Sequence, residues 1–123
     1  MNEIVAYVAA AIVFAWGISH AIPTRNVVAG FSDTSADNRL VITQEWLAEA
    51  MTMWFIAALV VIATAIDAEE SVTRWVYRSS AVMLIAVGAL TAVTGACTPV
   101  IFFKICPVLL TSVATLLLIA SFV

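Results

Sequence analysis

Charge of either sign is rare in this chain, and no stretch of it is basic. Eight acids and five bases leave a net charge of −3, and Arg25, Arg39, Arg74, Arg78 and Lys104 stand singly. Neutralising phosphates requires a basic face, so the composition argues against nucleic acid as a partner. The two cysteines, Cys97 and Cys106, form no Cys-x-x-Cys pair, which removes the usual motif for a dithiol redox centre. Strict apolar–polar alternation is missing too, and with it the pattern of a β-barrel. The first residues, Met1-Asn2-Glu3, have none of the basic character of a secretory signal. The apolar run that follows them is therefore read as a retained helix, although Ser19-His20-Ala21 is a passable cleavage triplet.

What the chain has in abundance is apolar surface. Apolar residues make up 64% of it and charged residues 11%, against about 45–50% and about 25% in ordinary soluble domains. A soluble domain of 123 residues keeps too much of its surface wet to hide that much hydrocarbon. Lipid removes the difficulty. Four apolar blocks of the length a bilayer requires, about 20 residues, lie at 4–22, 42–66, 72–96 and 100–122. Backbone groups in hydrocarbon must be satisfied within their own segment or in a closed barrel, so the blocks are helices. The expected fold is all-α: a single transmembrane domain, an antiparallel four-helix membrane bundle with one long connection, 23–41, between its first and second helices.

Short links at Asp67-Ala68-Glu69-Glu70-Ser71 and Cys97-Thr98-Pro99 make successive helices antiparallel neighbours. Ser35 or Asp37 in the long connection is a suitable cap for an early start of the second helix, carrying it through Arg39. An even number of crossings puts both ends of the chain on one side, with the long connection and the Cys97–Pro99 turn on the other. Each side holds two arginines, Arg74 and Arg78 against Arg25 and Arg39, so the positive-inside rule favours neither orientation.

Membrane helices pack through small and weakly polar residues, which marks one stripe on each span. The first carries Ala9, Val13, Trp16, Gly17 and His20; the second Glu45, Glu49, Thr52 and Ile56. The third carries Ser80, Gly88, Thr91, Gly95 and Thr98, and the fourth Lys104, Val108, Thr111 and Thr115, with Ser112 beside them. Where these stripes approach the long connection they gather most of the membrane-embedded ionisable and sulfur-bearing side chains. An ionisable group at that depth is costly and is by default paired and functional. The expectation is a Glu49–Lys104 ion pair with Glu45 and His20 within reach, forming a ligand- or proton-binding site. Competing readings are interfacial: Lys104 snorkelling to headgroups, and Glu45 favoured by the positive end of its helix.

Cys97 and Cys106 are the redox candidates. A disulfide needs Cα atoms within about 7 Å, whereas a continuous helix would hold residues nine apart roughly 13 Å from each other; a turn at Pro99 would be needed to close the gap. Pro107 removes a backbone hydrogen bond to residue 103 and, with Pro99, makes the start of the fourth helix irregular beside the proposed site. No spacing pattern specifies a metal, and none a cofactor or a reaction.

The phrases Ser19-His20-Ala21-Ile22-Pro23-Thr24-Arg25 and Thr43-Gln44-Glu45-Trp46, with the length and the four spans, resemble small prokaryotic four-helix membrane proteins, loosely DoxX-like. That resemblance implies membrane redox and sulfur-oxidation partners. The residues themselves favour a multi-pass cell-membrane protein acting as a binding or transport module through Glu49, Glu45, His20 and Lys104. The alternatives are a redox protein or accessory subunit using Cys97 and Cys106, and a structural subunit without chemistry. The expected partners are the lipid bilayer and further copies of the chain or a larger membrane complex.

Overall fold

The computed structural model describes residues 2–122, almost all of them helical. Helix α1 spans Asn2–Ala21, the short α2 Thr24–Ala29, α3 Ala36–Asp67, α4 Ser71–Val93 and α5 Ile101–Phe122, with one 3-10 turn at Gly95–Cys97 between α4 and α5. Four of these helices are long and apolar enough to cross a membrane. α1 packs chiefly on α3 and α4 chiefly on α5; α1 also meets α5, and α3 meets α4 more sparingly.

The connection at 23–41 differs from the open loop read from the sequence. It contains α2, and α3 starts at Ala36 rather than near Ile42. Ser35 is its N-cap, its side chain accepting a hydrogen bond from the Asn38 backbone N–H at 3.2 Å. Arg39 ties the preceding loop to this first turn, donating to the carbonyls of Ser32 and Thr34 at 2.9 and 3.3 Å. At 32 residues, α3 is about 48 Å long, well beyond the roughly 30 Å of a hydrocarbon core. Replacing the cap, Ser35→Ala, is expected to cost about 1 kcal/mol and to speed amide exchange in the first turn of α3 alone. Faster exchange spreading beyond that turn would show that the cap holds more than its own helix end.

The core is built from small residues. Ala6, Ala9, Ala10, Ala50, Ala57, Ala81 and Ala114 are all buried, which brings helix axes close where lipid offers no hydrophobic drive to association. Larger side chains fill the centre: Val13, Met53, Leu84, Leu110 and Leu117. Phe14, Phe55, Ile62, Val82, Leu90 and Ile119 face outward. In water that surface would be an aggregation patch; against acyl chains it is matched to its solvent.

Polar fastenings close the end opposite α2. Tyr77 and Thr64 share a buried 2.7 Å hydrogen bond, and Thr73 donates to the Ala63 carbonyl at 3.3 Å, joining α4 to α3. Arg78 reaches the end of α5, donating to Ser121 Oγ at 3.3 Å, while its guanidinium lies 4.7 Å from the Phe122 ring centre and 5.2 Å from that of Trp75.

The inward stripe expected on the last span is wrong. Lys104, Val108, Thr111, Ser112 and Thr115 are exposed, and Cys106, Leu110, Val113, Ala114 and Leu117 face the bundle instead. The hydroxyls have no need of an interior position. Thr111 donates to the Pro107 carbonyl at 2.7 Å, Ser112 to that of Val108 at 2.7 Å and Thr115 to that of Thr111 at 2.8 Å. Each is satisfied within its own helix, so packing shape decides the inward face.

Candidate functional site

The last turn of α1 supplies the centre of the site. A helix C-terminus leaves carbonyls without intrahelical partners, and that of His20 is taken by α3: Trp46 Nε1 donates to it at 2.8 Å. The same contact lays the Trp46 indole on the His20 imidazole, ring centres 4.0 Å apart and planes 15° from parallel. Phe103 of α5 meets the indole edge-on, at 5.5 Å and 72°. One indole therefore fixes the relation of three helices.

Glu49 follows Trp46 by three residues and so lies on the same face of α3. Its Oε2 is 3.5 Å from His20 Nε2. The pair is in ion-pair range without a hydrogen bond: His20 Nε2 is buried and, among the described residues, has no hydrogen-bond partner. One turn earlier on α1, Trp16 Nε1 reaches across to Cys106 Sγ of α5 at 3.4 Å.

These groups border a cavity of about 690 Å³, within the size range of small-molecule sites, about 300–1,000 Å³. Trp16, Trp46, Phe31, Phe102 and Phe103 form much of its wall. α4 and the 3-10 turn contribute Thr91, Thr94, Gly95 and Thr98; the three threonine hydroxyls donate to carbonyls of their own segments at 2.7–2.9 Å, which leaves their lone pairs as weak acceptors. His20 and Glu49 are the ionisable nitrogen and oxygen groups on this wall, with Cys106 beside them.

Two members of the sequence-derived site are placed elsewhere. Lys104 is exposed, is not on the cavity wall, and forms no ion pair with Glu49 among the described residues. Helical geometry gives the reason: Lys104 precedes Cys106 by two residues, roughly 200° around the axis, and Cys106 is the residue turned inward. Glu45 is exposed as well and lies off the wall. The inward position one residue along belongs to Trp46, whose ring packs on His20 and Phe103. His20 and Glu49 are brought together.

Both cysteines are free thiols, and their surroundings differ. Cys97 is exposed in the 3-10 turn, while Cys106 is buried against Trp16. Among the described residues no three His, Cys, Asp or Glu side chains gather closely enough to hold a metal ion. Wall residues that the sequence did not assign to the site include Trp46, Phe102 and Phe103 and, from α2 and just beyond it, Val27 and Phe31. Their signal was the apolar pair Val27 and Phe31, four residues apart in a connection otherwise rich in polar residues.

Compared with known protein families, curated proteins and solved structures, the chain has no match.

Proposed function

We propose that this chain is a multi-pass protein of the cell membrane, its four long helices crossing as an antiparallel bundle, and that it acts as a binding or transport module. The ligand is a small, largely apolar molecule whose polar head meets His20 and Glu49. The observation that carries this reading is the cavity itself: aromatic over much of its wall, with a nine-tenths-buried imidazole whose Nε2 has no hydrogen-bond partner among the described residues. Apolar pockets with a few convergent polar groups are the common form of small-molecule sites. Counting about 20 residues back from Asp67, where α3 ends, puts the hydrocarbon boundary near Leu47 and Glu49 just inside it. An ionisable group there is expensive unless it has work to do.

The exposed polar face of α5, with Lys104, Thr111, Ser112 and Thr115, supports association with a second copy or a larger membrane complex, because Ser and Thr are enriched where membrane helices meet. The loosely DoxX-like architecture belongs to the same proposal and rests on the spans and their order alone.

The test uses N-phenyl-1-naphthylamine, a neutral apolar molecule with one N–H, and reads its emission sensitised by the tryptophans of the purified protein in detergent, corrected for protein-free micelles. Thr94→Phe, which fills the cavity from an exposed wall position, is expected to abolish the signal. Glu49→Gln is expected to weaken binding about tenfold, the worth of one hydrogen bond to a charged group. Cys97→Ser, off the wall, leaves it unchanged. Equal binding by the wild type, Thr94→Phe and Glu49→Gln would refute the site.

A further inference from the structure

The electrostatics of the cavity are one-sided. Glu49 stands on its wall half-buried, with no fixed cation beside it among the described residues. Each basic side chain near this end of the bundle is engaged or turned elsewhere. Arg39 is folded onto the Ser32 and Thr34 carbonyls; Arg25 and Lys104 are exposed and line no part of the cavity. From α1 the group facing the carboxylate is the His20 imidazole, at 3.5 Å without a hydrogen bond. α4, the 3-10 turn and α5 contribute to the same wall threonine side chains, the Cys106 thiol and the Phe102 and Phe103 rings, none of them a cation. A carboxylate in hydrocarbon without a countercharge is among the costliest arrangements a membrane protein can hold. Aromatic rings, by contrast, are attractive to a desolvated cation, worth about 2 kcal/mol or more.

We infer that the ligand of this pocket is a lipophilic organic cation, its charge set against Glu49 and its apolar body against the aromatic wall. The inference deepens the binding reading given above and rests on it. An anion would meet the carboxylate with no fixed cation among the described residues to offset the repulsion, only the His20 imidazole. A neutral ligand would fill the cavity and leave the charge uncompensated. A compact hydrated cation would bring the charge but forfeit the aromatic and aliphatic wall, which makes up most of the surface on offer. A cation carrying its own apolar shell meets both demands.

Tetraphenylphosphonium and tetraphenylborate test this directly, because they have nearly the same shape and opposite charge. Their binding to the intact protein in neutral detergent is measured by displacement of N-phenyl-1-naphthylamine. The wild type is expected to prefer the phosphonium at least tenfold, about 1.4 kcal/mol, and Glu49→Gln to reduce that preference to near unity. Equal affinities in the wild type, or a preference that survives Glu49→Gln, overturn the cation assignment while naphthylamine binding keeps the pocket. Absence of binding by the naphthylamine itself removes the pocket, and the assignment with it.

Discussion

Gly17→Leu is expected to force α1 away from α3 and to disable the site at the same time. A Cβ on residue 17 would stand 2.7 Å from Trp54 Nε1, 2.8 Å from its Cδ1 and 3.2 Å from the Ala50 carbonyl oxygen. The indole is a rigid plate and the carbonyl is helix backbone, so neither yields cheaply. Overpacking of a tight core costs about 1–3 kcal/mol, and a leucine adds three carbons beyond the clashing one. Gly17 also lies one turn before His20, so a displaced α1 carries the imidazole away from Glu49. The expected result is a marked loss of resistance to denaturing detergent, followed by helicity, together with loss of naphthylamine binding. Trp54→Ala in the Gly17→Ala background is expected to restore stability in part, since it removes the nearer of the two obstacles. If Gly17→Leu is as stable as the wild type, the close approach of α1 and α3 is wrong.

Tyr77→Ala is the second large effect, at the other end of the bundle. Tyr77 is fully buried, the largest side chain that is. Its partner Thr64 has one proton and directs it at the Val60 carbonyl, 2.6 Å away, so Tyr77 is the donor in the 2.7 Å bond between them. Truncating it opens a cavity and removes the donor to Thr64 Oγ1 where α3 and α4 meet only sparingly. Large aromatic truncations in cores cost about 3–5 kcal/mol, whereas an interhelical hydrogen bond in a membrane averages about 0.6 kcal/mol. Tyr77→Ala is therefore expected to be severe and Tyr77→Phe mild, by denaturing-detergent titration of helicity. Equal losses in the two would mean that the hydrogen bond, not the packing, holds the seam.

The parts of this arrangement that the sequence revealed are those where chemistry and packing agree. On α1 the small and polar residues Ala9, Val13, Gly17 and His20 are also the buried ones, because close approach to α3 needs small residues and the imidazole needs shelter. The same stripes put His20 and Glu49 at one end of the bundle, but paired Glu49 with Lys104 rather than with the imidazole. On α5 the criterion failed. Hydroxyls that bond their own helix carry no inward preference, and a face of Leu110, Val113, Ala114 and Leu117 is as apolar as the lipid-facing side, so nothing in its hydropathy distinguishes it. The error on α3 was one residue. Glu45 and Glu49 share a helix face by spacing, yet the wall is set by Trp46, whose aromatic body gains more from His20 and Phe103 than an acid would. Lys104 was assigned inward with the stripe of Val108, Thr111 and Thr115, and the register fixed by Cys106 turns it out. α2 went unread because a six-residue helix is too short to show a period; its contribution to the wall comes from where the chain folds back, which no local pattern encodes.

The central claim, that an imidazole from α1 and a carboxylate from α3 face each other at one cavity, has a direct measurement. The chain contains a single histidine, so ring-¹⁵N histidine and carboxyl-¹³C glutamate labels give a dipolar coupling that reports on position 20 alone. In lipid bilayers, magic-angle-spinning dephasing is predicted to show a short nitrogen-to-carboxyl distance that disappears in Glu49→Gln. Absence of dephasing in the wild type, or dephasing that persists after Glu49→Gln, would contradict it.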